Sequence, residues 1–138
     1  MLKGYNEKKI VITIGTFDKF SRMDDNLTFQ MRKVAVPNGF TVAFLLSDYL
    51  SYEENGFFPH QQLEHRKKNM KLFVDDVEAI LSDPNSELEE YILKAREDYP
   101  DYKIICVMYV NAKGFLGRAV LKKLGVPIKF IKYPKNAK

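Results

Sequence analysis

The chain has 138 residues, 46% hydrophobic and 13% aromatic, enough for one domain (1–138) with a real core, which excludes a disordered segment. Its single cysteine, Cys106, excludes an internal disulfide or a cysteine-based metal cage; with the polar start MLKGYNEKK it fits a cytoplasmic, reducing compartment with no signal peptide, and no apolar run approaches the ~20 residues of a membrane span. The net charge of +4 is uneven, with eight basic residues and no acid over 113–138 and seven acids over 83–101, but the basic residues alternate with core-type ones, so a solvated face and a basic tail explain them better than nucleic-acid binding does.

Apolar runs and helical patterns alternate along the chain. KIVITIG, rich in β-branched residues and closed by Gly15, predicts a first strand. Leu27, Met31 and Val34 recur at helical spacing, with Asp24, Asp25 or Asn26 as the cap. GFTVAFLLSD is nearly continuously apolar and predicts a strand buried on both faces. YLSYEENGFFPHQ reads as a loop broken by Gly56 and Pro59, before a helix from about Gln61 to Phe73 that places Leu63, Met70 and Val74 near one face.

DVEAIL predicts a short strand and SDPN a turn. Ser86 and Glu89 form an S-x-x-E capping box, opening a helix with Leu88, Ile92, Ala95 and Tyr99 on one face. YKIICVMYV is another buried strand. KGFLGRAVLKKLG predicts a short helix with Phe115, Leu116, Val120 and Leu124 inward and Gly125 as its C-cap. VPIKFIKYP closes the pattern as an edge strand interrupted by lysines. Alternating strands and helices imply an α/β fold with right-handed crossovers and a parallel sheet. A ligand then sits at the carboxyl ends of the strands, with phosphate at the first strand–helix turn.

GTFD in that turn resembles the opening of the nucleotidylyltransferase superfamily, whose motif runs G-T-F-D-x-x-H-x-G-H. The branch most similar to this chain is the small glycerol-3-phosphate cytidylyltransferases. FTVAFLLSD resembles that branch's second strand with its Ser/Thr-Asp ending. LEHRKKNMKLFVDDVEAIL is similar to its E-x-R helix and VD-x-V, and KYPK falls where the family has Pro-Arg. The resemblance runs from about Lys9 to Lys135. It implies a Rossmann-like three-layer sandwich with a five-stranded parallel sheet in the order 3-2-1-4-5. It also implies a nucleotide site at Gly15, Thr16, Phe17 and Asp18, with Arg66 as the arginine of E-x-R. CTP would be the ligand, Mg²⁺ would arrive only with it, and a homo-oligomer would fit.

The departures from the family pattern fall on the phosphate cradle. Ser21 and Asp24 stand where the motif has its two histidines, and Met23 where it has glycine. Ser21 offers one neutral donor, and an ionised Asp24 repels a triphosphate. The closing I-S-T-S/T segment has no counterpart before Lys138, and YEENGFF offers Glu53 and Glu54 in place of a lysine. Each donor lost from such a site costs about 10²–10³ in rate. The expectation is a degenerate cytidylyltransferase-like protein with impaired or lost transfer, acting as a binding or assembly module. The open alternative is an active, divergent cytidylyltransferase that moves CMP from CTP to a small phosphorylated alcohol such as glycerol 3-phosphate.

Single residues leave further choices. Lys19 and Arg22 are the cations of the turn, and Arg22 is the better phosphate donor because guanidinium binds bidentately; exposed surface charge is the plain reading. Asp18 serves a turn cap as well as a ligand. Arg66 suits a nucleotide contact or, equally, an ion pair with Asp75, Glu64 or another nearby acid. Lys135 lies beside the terminus, where fraying is the default. His60 and His65 stand about 140° apart around a helix and do not share a metal. The GFFPH loop and the basic C-terminal region are candidate contact surfaces.

Overall fold

Five consecutive residues of β1 (Lys8–Gly15), Ile10 to Ile14, are all buried. A strand reaches that state only when helices cover both faces of its sheet. The structure, a computed structural model, describes residues 7–15, 22–46, 59–80, 84–109 and 117–132. After β1 come α1 (Arg22–Ala35), β2 (Gly39–Leu46), α2 (Pro59–Met70), β3 (Asp76–Ile80), α3 (Pro84–Asp98), β4 (Tyr102–Tyr109), α4 (Arg118–Lys123) and β5 (Ile128–Ile131). The sheet is parallel throughout, in the order β3-β2-β1-β4-β5. This is the α/β, Rossmann-like three-layer architecture expected, with β5 at an edge.

The period-two alternation of the strands divides the core in two. Ile10, Ile12 and Ile14 of β1 meet Leu88 and Ile92 of α3 and Leu121 of α4 on one face. Val11 of β1, Ala43 and Leu45 of β2 and Val107 of β4 meet Leu27 and Met31 of α1 and Met70 of α2 on the other. Fully burying each such side chain contributes about 1.5–3 kcal/mol. Cys106 lies in the first core, and burial pushes its thiol up to about 12, so it is an inert core residue.

Several element ends differ from the sequence expectation. α1 begins at Arg22, so Asp24, Asp25 and Asn26 are inside the helix and none caps it; Asp24 and Asp25 instead sit in the first turn, where their charge favours the helix dipole. Pro59 opens α2 rather than breaking it, and Pro84 opens α3, each with an amide position that needs no intrahelical partner. Ser86 is therefore the third helical residue, not an N-cap, and Glu89 pairs with Lys123 at 2.8 Å. Tyr99 falls beyond the end of α3 and packs edge-on against Phe40 and Tyr102, at 5.5 and 5.1 Å between ring centroids. α4 is shorter than expected and begins after a left-handed Gly117; Leu63, Phe115 and Leu116 lie outside the described side chains.

The C-cap at Gly125 holds. Its φ of 69° lets Val126 donate to Leu121 O at 2.8 Å and Gly125 to Lys122 O at 3.2 Å, the paired bonds of a Schellman motif. Gly39 answers a different need. A Cβ there would stand 2.4 Å from Lys9 O and 2.7 Å from Ala35 O, both backbone atoms. Gly39→Ala should therefore cost about 1–3 kcal/mol, read in urea unfolding as a lower midpoint with an unchanged slope.

Candidate functional site

Because all five strands run one way, Gly15, Leu46, Ile80, Tyr109 and Ile131 end along one edge. The chain steps outward from β1 through β2 to β3, then returns across β1 to β4, so strand order reverses between β1 and β4. That reversal opens a crevice at the carboxyl ends. Of the residues singled out for this site, Thr16, Phe17, Asp18, Lys19 and Ser21 lie outside the described residues, as do the 47–58 loop with Glu53 and Glu54, the GFFP residues and Lys135; the side chains of Met23 and His60 are likewise outside.

Gly15 ends β1, half-buried, and pairs with Leu45 in the sheet register. Leu46 is thus one residue further along the neighbouring strand, about 4.8 Å away laterally. Its carbonyl accepts a hydrogen bond from Nη1 of Arg66 at 3.1 Å. Arg66 is only 2% exposed. α2 carries it on the face that also buries Met70, four residues on. A guanidinium at this depth loses most of its hydration, a heavy cost that only good hydrogen bonds or an anion offset.

The acids considered as partners for Arg66 are placed elsewhere. Asp75 accepts from the backbone N–H and hydroxyl of Thr41, at 2.7 and 3.1 Å, near the amino end of β2. Leu46 is five residues further along β2, about 17 Å at the rise of a strand. Glu64 is exposed on α2. The arginine thus joins Gly15 at the carboxyl edge, while Asp75 staples the opposite end.

Arg22 is exposed at the first position of α1, and Asp24 is half-buried in its first turn. An anion approaching that helix end meets Asp24 and Asp25 as well as the N–H groups, and the carboxylates oppose the dipole's attraction. Asn26, one turn in, donates from Nδ2 to the Tyr109 hydroxyl at 3.0 Å. This bond pins the start of α1 over the end of β4 and closes the crevice on one side. Residues 83 apart make it, so sequence spacing carries no signal for it. Thr13, two residues before Gly15, is 1% exposed, and its hydroxyl has no hydrogen-bond partner among the described residues, an expensive state for a buried polar atom.

Away from the edge, Asp76 and Glu78 share one face of β3, the face Tyr91 of α3 packs against. The sequence signal for this pair is the i, i+2 spacing of D-V-E on a strand. Burial first, then the charge of Asp76 and a hydrogen bond to it, raise Glu78 above its ordinary 4.5, while Lys67 and Lys71 pull it back. Burial and the same two acids raise Tyr91. Among the described residues no three His, Cys, Asp or Glu side chains assemble as a metal-binding group, and His65 is exposed beside Asn69.

No protein-family model matches the chain, and no curated protein matches it. Among solved structures it is similar to a pantothenate synthetase from Thermus thermophilus, at 12% identity and a TM-score of 0.46 over 93% of this chain. A second structure of pantothenate synthetase from that organism gives 13% and 0.46 over 93%. A tyrosyl-tRNA synthetase complexed with L-tyrosine from Archaeoglobus fulgidus gives 11% and 0.48 over 92%. The chain spans 56% of the length of each. No helix among the described residues is long and apolar enough to cross a membrane.

A raised carboxyl binds its proton more tightly in the folded state. Its contribution to stability is present below pH 4.5 and is lost as pH rises through the folded value. Glu78→Gln should therefore stabilise the protein at pH 7, with the gain disappearing near pH 4, as read from urea midpoints at the two pH values.

Proposed function

We propose that this chain is a nucleotidylyltransferase-like protein, of the cytidylyltransferase type, that keeps a nucleotide site at the carboxyl edge and has lost most of its capacity for group transfer. It acts as a nucleotide-binding or assembly module. The observation that supports this reading is Arg66, a buried guanidinium fixed at the end of β2 beside Gly15. A cation in that position suits the phosphate or base of a nucleotide laid across the strand ends. Lost transfer is supported by Asp24 in the first turn of α1, where two histidines of the resembling motif would frame the phosphates. Transfer of a nucleotidyl group requires donors aimed at the charge that develops on the phosphates, and a carboxylate supplies the wrong sign. CTP is the nucleotide that the resemblance favours. Mg²⁺ would come with its phosphates rather than to a site of the protein's own.

Thermal unfolding with CTP, with ATP and with each plus Mg²⁺ tests the reading. A nucleotide at about 100 times its dissociation constant adds roughly 2.7 kcal/mol, a shift of several degrees. A shift with CTP and no pyrophosphate on incubation with glycerol 3-phosphate is the expected outcome. Release of pyrophosphate would make the chain an active cytidylyltransferase, and no shift with any nucleotide would remove the binding reading altogether. Arg66→Lys should remove most of the shift, since an ammonium lacks the planar fork; a full shift in that variant would sever Arg66 from the site. Asp24→Asn should bind nucleotide several-fold more tightly while costing about 0.3–1 kcal/mol of helix stability.

A further inference from the structure

The end of the molecule opposite the crevice carries features that the nucleotide reading does not use. In a parallel sheet the helix–strand connections all return to the amino ends of the strands, so residues 36–38, 71–75, 99–101 and 124–127 form one face. That face is mixed in character. Val36, Leu72 and Tyr99 are exposed on it, each from a different connection. Exposed Lys8, Lys71 and Arg96 stand among exposed Asp75, Glu97, Asp98 and Asp101.

The α1 side of the sheet, next to this face, is different. Lys9 of β1, Lys33 of α1, Lys103 of β4 and Lys129 of β5 surround a shallow depression of about 470 Å³ floored by Val34 and Ile105, and among the described residues no acid lines it. Glu7 and Asp101 precede Lys9 and Lys103 by two residues and stay outside the lining. Among the described residues none of the four lysines takes part in an ion pair; Lys33 lies 5.7 Å from the Phe29 ring centroid.

The needs of the fold explain two of these lysines. Lys33 is in the last turn of α1, where a cation suits the helix dipole. Lys129 is on the edge strand β5, where lysine discourages pairing with a further strand. Neither reason covers Lys9 and Lys103. Both are on interior strands, and the register sets them directly opposite each other. Strand alternation turns both toward the side of Val11 and Val107. Like charges directly opposite across two strands destabilise a sheet. An anion between them turns that repulsion into attraction.

We propose that this depression binds a small anion dense in phosphate, an oligophosphate chain. Ammonium groups on flexible stems meet such a chain as point charges from several sides. The lining has no aromatic side chain and no arginine, so base stacking and bidentate phosphate contact are missing and nucleic acid is disfavoured. A membrane surface is disfavoured by the adjoining face, where Glu97, Asp98 and Asp101 would be pressed against anionic headgroups. A short chain of phosphates stays within the lining and meets none of these acids. The proposal stands independently of the nucleotide reading, since Lys9 is six residues before Gly15 on β1, about 20 Å at the rise of a strand.

Isothermal titration calorimetry of the full chain with tripolyphosphate should show saturable binding of one anion per chain. Orthophosphate at the same ionic strength should bind about tenfold more weakly or worse, because it reaches fewer lysines at once. Lys9→Gln with Lys103→Gln should weaken tripolyphosphate about tenfold or more. Without the anion, that double variant should have a urea midpoint equal to or above the wild type, since the repulsion goes with the charges. Lys68→Gln with Lys94→Gln, the same change of net charge at exposed sites on α2 and α3, should bind tripolyphosphate as the wild type does. Amide chemical-shift changes on binding should centre on Val34 and Ile105. Absence of binding, an equal loss in both double variants, shift changes centred on Gly15, or capture by phosphatidylserine-containing vesicles in preference to tripolyphosphate would each overturn the proposal.

Discussion

The arrangement rests on β1. Ile10, Val11, Ile12, Thr13 and Ile14 are buried because β2 and β4 flank the strand and helices cover both faces. Central burial of this kind forces the rest. Parallel neighbours cannot be joined by tight hairpins, so each connection crosses a face of the sheet as a helix and returns to the same end. Every strand then finishes at one edge and every helix–strand connection lies at the other. The molecule has two chemically distinct ends because its middle strand has no exposed face.

At the carboxyl edge the decisive side chain is Arg66. A buried guanidinium is unfavourable for a fold that needs only apolar packing at that position on α2. The Leu46 carbonyl is one of the partners that offset the cost. In the proposed reading, the position of the guanidinium at the strand ends is what suits it to an anion in the adjoining crevice. The start of α1 pulls in the opposite direction. Asp24 and Asp25 favour the helix and oppose an anion at the same place. The edge combines a cation held inside with acids set at its rim, and that imbalance separates binding from transfer in the proposed reading.

The strands and most helix faces were legible because their evidence is periodic. Runs such as KIVITIG and FTVAFLL carry it, as does the spacing of Leu88, Ile92 and Ala95. Helix starts were less legible. Ser86 and Glu89 satisfy a capping pattern, yet Pro84 begins the helix two residues earlier, because a proline at the first turn forfeits no bond and is already set in φ. Asp24 and its neighbours have capping chemistry but sit inside α1. Tyr99 continues a helical spacing on paper and leaves it in space, where Phe40 and Tyr102 offer a better packing partner than the core.

The sequence by itself determined the class of fold, the order of its elements and the identity of the glycine that ends α4. Each is a matter of local chemistry, in which alternation, propensity and backbone freedom act within a few residues. Tertiary structure alone decided that Arg66 meets the end of β2 while Asp75 closes its beginning, that Asn26 holds Tyr109, and that exposed apolar residues from separate connections gather at one end. Those outcomes join residues tens of positions apart, and only the parallel register of the sheet brings them within reach of one another.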